Sequence, residues 1–200
     1  MTHPSPKADL IRYLQESRDA LLWKVDGLSE YDARRPLTPT GTNLLGLVKH
    51  LSGVELGYFG DTFGRPYFTE QPPPPWWWTR ATDDHADMWA TPAESREEIT
   101  GLYRRSWHHA QATFDALPLD AVGHVPWWPE ERRAVTLHHV MVRVTADTQR
   151  HAGHADILRE LIDGSAGMLE GNDSLPPGDA QSWAAHHDRV ERAAKEVDAR

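Results

Sequence analysis

The chain has 200 residues, 39% hydrophobic and 26% charged, enough for one core in one domain. Its formal net charge of −9, with no Lys/Arg cluster, argues against a phosphate-backbone partner, so nucleic acid is set aside. It contains no cysteine, which excludes disulfides, cysteine-bound zinc and a thiol nucleophile of its own.

Any metal must therefore be held by histidine and carboxylate, and any thiol chemistry must use a thiol from outside. No apolar run approaches the ~20 residues that span a bilayer. The opening MTHPSPKADLIRYL has no apolar signal core. The expected setting is the cytoplasm, with no membrane contact.

The first periodic stretch covers 6–28, where Leu10, Ile11, Leu14, Leu21, Leu22, Val25 and Leu28 recur at helical spacing behind Ser5–Pro6. A polar linker, SEYDARRPLTPTGT, comes next. A second helix is predicted from Thr42 or Asn43 to about Phe63, closed by Gly64–Arg65–Pro66. Residues 64–90 read as irregular, because the prolines of QPPPPWWWTR cannot be helical. Thr91, Pro92 and Glu94 compose a capping box for a third helix running to Leu117.

A second loop, PLDAVGHVPWWPEERR, carries Trp127 and Trp128. A fourth helix is predicted from Thr136 to Asp163, with Gly164 as its C-terminal cap. An alanine-rich terminal helix covers about 180–198. No β alternation is visible. The expectation is an all-α four-helix bundle, residues 1–165, with a linker and C-terminal helix, 166–200, packed on or appended to it. The long 64–90 connection lets helices 2 and 3 run parallel, in up-down-down-up order.

The informative residues are polar ones on apolar stripes. His50 lies between Leu47 and Val54 on helix 2. Asp147 and His151 are four apart among Val144, Thr148 and Ala155 on helix 4, so they share one face. Buried carboxylates and imidazoles are costly unless paired or metal-bound. A carboxylate and a histidine at this spacing chelate a divalent cation, and a histidine from a facing helix completes a three-ligand set with an open position. The same spacing also makes simple ion pairs. Trp76, Trp77, Trp78, Trp127 and Trp128 are candidates either to line a pocket or to finish a small core.

Two segments carry a resemblance. GTNLLGLVKHLSGVELGYF resembles the second helix of the DinB-like superfamily of metal-binding four-helix bundles, and ADTQRHAGHADILRELIDG its fourth. The HAGHAD signature is similar to that of the branch containing mycothiol-dependent maleylpyruvate isomerases and thiol S-transferases. The resemblance covers most of residues 8–165. It implies metal ligation by His50, Asp147 and His151, the residues the spacing had picked out. The isomerase-like relatives carry Glu where this chain has Asp147, one methylene shorter, which makes His154 an additional candidate ligand. His154 and Asp156 otherwise read as groups supporting the ligands or the packing.

The resemblance implies a metal-dependent enzyme using a low-molecular-weight, mycothiol-like thiol for S-transfer to, or isomerisation of, a small electrophile. Zinc is the expected metal, with nickel, iron and manganese as alternatives. A second reading is a metal-dependent hydrolase, with Glu55 as the one nameable general base. A third is a non-catalytic, stress-related binding protein. The terminal helix offers a surface for a homodimer.

Overall fold

A computed structural model describes residues 5–78, 83–172 and 175–198. It is mostly helical, with 60% helix and little strand. The elements arise from local sequence chemistry.

Helix α1, Pro6–Trp23, begins where the Ser5 hydroxyl accepts from Ala8 N–H, with Pro6 at its first position. It ends five residues short of the expected 28. Val25 is buried, but in a turn that closes at Gly27 with φ of 69°. Apolar burial therefore continues after the helix stops. The polar linker beyond it is not wholly irregular, because Ser29 caps a short helix α2, Glu30–Arg34.

Helix α3, Leu44–Glu55, is capped by Asn43, whose Oδ1 accepts from Gly46 N–H at 2.7 Å. It widens into a π-helical turn, Leu56–Gly60, tightens into a 3-10 turn, Asp61–Phe63, and stops at Gly64 with φ of 67°. Helix α4, Arg96–Ala116, starts later than expected. Only half of the Thr91–Glu94 box forms: Thr91 N–H and Oγ1–H donate to Glu94 Oε2, while Glu94 N–H bonds the Thr91 carbonyl and not its hydroxyl. It closes only one turn, because Glu94 is also drawn to Lys49 at 2.8 Å. The capping box that opens α4 is Ser95 with Glu98.

The expectation of no β structure is corrected by a small antiparallel pair, β1, Val122–His124, and β2, Ala134–Thr136, with Gly123 opposite Val135. Strands of three residues are too short to display alternation. Thr136 ends β2 and caps helix α5, Leu137–Asp163, which closes at Gly164 in the left-handed region, as predicted. Helix α6, Ala180–Asp198, buries none of its residues.

Helix α1 packs along α5, and α3 packs against both α4 and α5. One core cluster gathers Leu21, Leu44, Leu47, Leu51, Tyr103 and Leu158. The other gathers Leu14, Phe59, Phe114, Val140, Met141 and Val144 beneath the hairpin. Burial of each such side chain contributes roughly 1.5–3 kcal/mol. Between them Arg18 and Glu55 form a bidentate pair, Nε–Oε1 at 2.8 Å and Nη2–Oε2 at 2.5 Å, joining α1 to α3. No described helix is long and apolar enough to cross a membrane.

Candidate metal centre

Helices α3 and α5 bring His50, Asp147 and His151 together. Each offers one ligand atom, and these atoms lie within 4.8 Å of one another. The His50 and His151 rings meet edge to face, centroids 4.9 Å apart. His151 Nε2 stands 3.7 Å from Asp147 Oδ1. Asp147, despite its shorter arm, reaches the cluster.

The donor chemistry fits a divalent cation. His50 Nδ1 donates to Asp87 Oδ2 at 2.8 Å, which puts its proton on Nδ1 and leaves Nε2 as the free donor atom. His151 Nδ1 is buried and has no hydrogen-bond partner among the described residues. Burial first, then the neighbouring His50, pushes the His151 imidazole down to about 4, against the opposing pull of Asp147. It is therefore neutral near pH 7, the state a metal requires. Tetrahedral zinc at about 2.0–2.2 Å from each donor spaces them about 3.3–3.6 Å apart, so modest side-chain rotation gathers the set.

Asp87, which the sequence reading did not single out, is only 4% exposed. It sits on the loop before α4, and α3 holds that loop in place. Met88 O accepts from Asn43 Nδ2 at 3.1 Å, and Trp89 O accepts from Lys49 Nζ at 2.8 Å. The approach is close enough to require Gly46. A Cβ there would lie 1.9 Å from Met88 O. Lys49 also stands over the rings of Trp76 and Trp77, at 4.7 and 5.3 Å, and burial lowers its ammonium below the usual lysine value.

A cavity of about 510 Å³ opens above the cluster, within the ~300–1,000 Å³ of small-molecule sites. His50 and Asp147 lie in its wall with Trp77, Trp78 and Trp127. Two glycines of the α3 face make room for the indoles. A Cβ on Gly53 would meet Trp77 at 3.2 Å, and one on Gly57 would meet Trp127 at 2.8 Å. Tyr58 and Asp61, presented by the π turn and the 3-10 turn after it, complete that side, and Arg143 of α5 stands opposite. Burial raises the Asp61 carboxyl above the ordinary aspartate value.

Several expected residues fall elsewhere. Trp76 is 42% exposed and packs on Trp89, and Trp128 packs behind the wall on Tyr58 and His139. Neither lines the cavity. His154 touches the His151 ring from the exposed side of α5 and is not among the clustered donors. Asp156 pairs with buried Lys24 at 2.8 Å, so its role is in packing. Glu55 is fully buried and engaged by Arg18, which removes the base that the hydrolase reading relied on.

Tyr58 and Arg143 carried a legible signal. Tyr58 is two helical turns from His50, and Arg143 one turn before Asp147, on the same faces. Asp87, in a loop, carried none.

A histidine–aspartate–histidine cluster under an aromatic cavity, built between two helices, defines a helical protein with a candidate metal site and room for a small organic molecule. The chain belongs to the mycothiol S-transferase family, whose sequence profile matches residues 9–164. That family is a branch of the DinB-like superfamily. A search of curated proteins found no match.

Proposed function

We propose that this chain is a metal-dependent transferase that conjugates mycothiol, or a closely similar thiol, to a small electrophile in the cytoplasm. The observation that carries the reading is the meeting of His50, Asp147 and His151 within 4.8 Å at the wall of an aromatic cavity. The family match over residues 9–164 supports the thiol. The absence of cysteine fits a sulfur supplied from outside. In this reading the long helices α1, α3, α4 and α5 form the up-down-down-up bundle of the superfamily, and α6 is an appendage to it.

His50, Asp147 and His151 would hold the ion, zinc by preference for this donor set. When bound, the cation supplies the positive charge that stabilises a thiolate at neutral pH. Asp87 holds the His50 tautomer. Asp61, in the wall of the same cavity, would be suited to take up the thiol proton or pass it to solvent. Trp77, Trp78 and Trp127 exclude water and hold the electrophile's apolar body. The sulfur–carbon bond forms as the leaving group departs with its electron pair. With an unsaturated electrophile, the sulfur adds, the carbanion takes a proton, and elimination regenerates the thiol with the double bond isomerised. The same site therefore serves transfer and isomerisation.

The test combines metal analysis with turnover. The purified chain should carry about one zinc, lost in His50→Ala and His151→Ala. The loaded protein should form a mycothiol conjugate with 1-chloro-2,4-dinitrobenzene and release chloride. Zinc content indifferent to both substitutions, or no thiol-dependent conjugate over a broad electrophile panel, overturns the proposal.

A further inference from the structure

Arg143 is the one fixed cation among the described residues lining the cavity. It sits on α5 one turn before Asp147, so its side chain rises from the same face as the donor cluster. Its Nε donates to Tyr58 Oη at 3.1 Å. The guanidinium lies over the Tyr58 ring at 5.5 Å and the Trp128 ring at 5.0 Å. These contacts fix the group without neutralising it. No described carboxylate stands within 4.0 Å of it.

Carboxylates of the same cavity have other roles. Asp87 accepts from His50 and Asp147 sits beside His151, while burial raises the Asp61 carboxyl above the ordinary aspartate value. Outside the mouth, an open groove along α5 continues from Arg143 past Asp147 to Arg150, with His138 and His139 at its other end. In a chain of net charge −9, this is a local reversal of sign beside an aromatic cavity. An oriented guanidinium whose Nε–H is held by Tyr58 keeps its Nη1/Nη2 edge for the planar fork of a carboxylate.

We propose that Arg143 sets the substrate class of this site, pairing with a carboxylate on the electrophile while the tryptophans hold an unsaturated or aromatic body. This deepens the transferase reading and rests on it for the word electrophile. Tyr58 then acts as a positioning residue for the guanidinium.

The test is calorimetric and uses no thiol, so it stands apart from the turnover experiment. Cinnamate and its neutral isostere cinnamamide are titrated into the full chain as purified, before and after EDTA. Cinnamate should bind at least about tenfold tighter than cinnamamide, the usual scale of a charge-assisted bidentate contact. Arg143→Ala should erase the difference by weakening cinnamate alone. Arg143→Lys should restore part of it, and Tyr58→Phe should lose part of it, each with wild-type circular dichroism.

Equal binding of the two probes by the wild type overturns the proposal. So does an Arg143→Ala variant that weakens both probes alike, which marks Arg143 as packing. A preference untouched by that substitution but abolished by EDTA also overturns it, since the metal then takes the carboxylate.

Discussion

Asp87→Ala removes one carboxylate that need not touch the ion, and its effect can be worked out in advance. The His50 Nδ1–Asp87 Oδ2 bond is 2.8 Å long, between side chains only 18% and 5% exposed. Without it the imidazole loses its fixed tautomer and orientation. Removing such a partner typically costs about 10–100-fold in metal affinity, about 1.4–2.7 kcal/mol.

Consider zinc at a hundred times the wild-type Kd. Bound metal then stabilises the wild type by about 2.7 kcal/mol. A variant a hundredfold weaker is only half saturated at that concentration and gains about 0.4 kcal/mol. At about 2–4 °C per kcal/mol for a chain of this size, about 5–9 °C of the zinc-induced rise in Tm disappears. Competition with a chromogenic chelator gives the affinity, and melting with and without zinc gives the shift. Asp87→Asn, which keeps an acceptor but not the charge, should fall between. Wild-type affinity in Asp87→Ala, alongside its loss in His50→Ala, would refute the assigned role.

Arg18→Met strands the fully buried Glu55 and should cost about 3–5 kcal/mol in urea unfolding, most of it recovered in Arg18→Met/Glu55→Met. In the single variant, burial raises the Glu55 carboxyl above its unfolded value of about 4.3. A raised acid stabilises the fold below that value and loses the contribution as pH rises, so the deficit should narrow near pH 4 and widen toward neutrality. A pH-independent deficit would contradict this.

In metal-free protein, the His151 imidazole should titrate near 4, as burial dictates, and His50→Ala should move its NMR midpoint upward. Since that value lies below the ordinary 6.5, His151 favours the fold above pH 6.5 and ceases to as pH falls through about 4. An NMR midpoint near 6.5 would show an open, solvated ring. Finally, a chain ending at Gly178 should melt within about 2 °C of the full length, because α6 buries none of its residues. A larger fall would mean that α6 packs on the helical body.

Much of this molecule was legible before its structure. The caps Ser5, Asn43, Thr136 and Gly164 act through local hydrogen bonds or a local backbone angle, so they read directly from sequence. His50, Asp147 and His151 stood out because polar groups interrupt apolar stripes of fixed period. The helix start at 96 was missed because two capping boxes lie in tandem, and the choice between them depends on Lys49, which competes for Glu94 from far along the chain. Asp87 was invisible because its meaning lies in where Gly46 and Lys49 let a loop descend. Trp128 and Trp127 are neighbours of one type, and only the tertiary path of the hairpin loop decides which faces the cavity.

The π-helical turn at Leu56–Gly60 divides α3 into two functional lengths. Upstream of it, His50 is locked in phase with the core. Downstream, the extra residue in the turn shifts the phase of the element, and Asp61 lines the cavity there. A single deletion in that turn would restore an ordinary helix and swing every later side chain by about 100°, while His50 stayed where it is. On the proposed function, ion capture and substrate choice would thus be separable by one codon. A lineage keeping this candidate site could then reshape the cavity wall by indels in five residues, without rebuilding the helices that carry His50, Asp147 and His151.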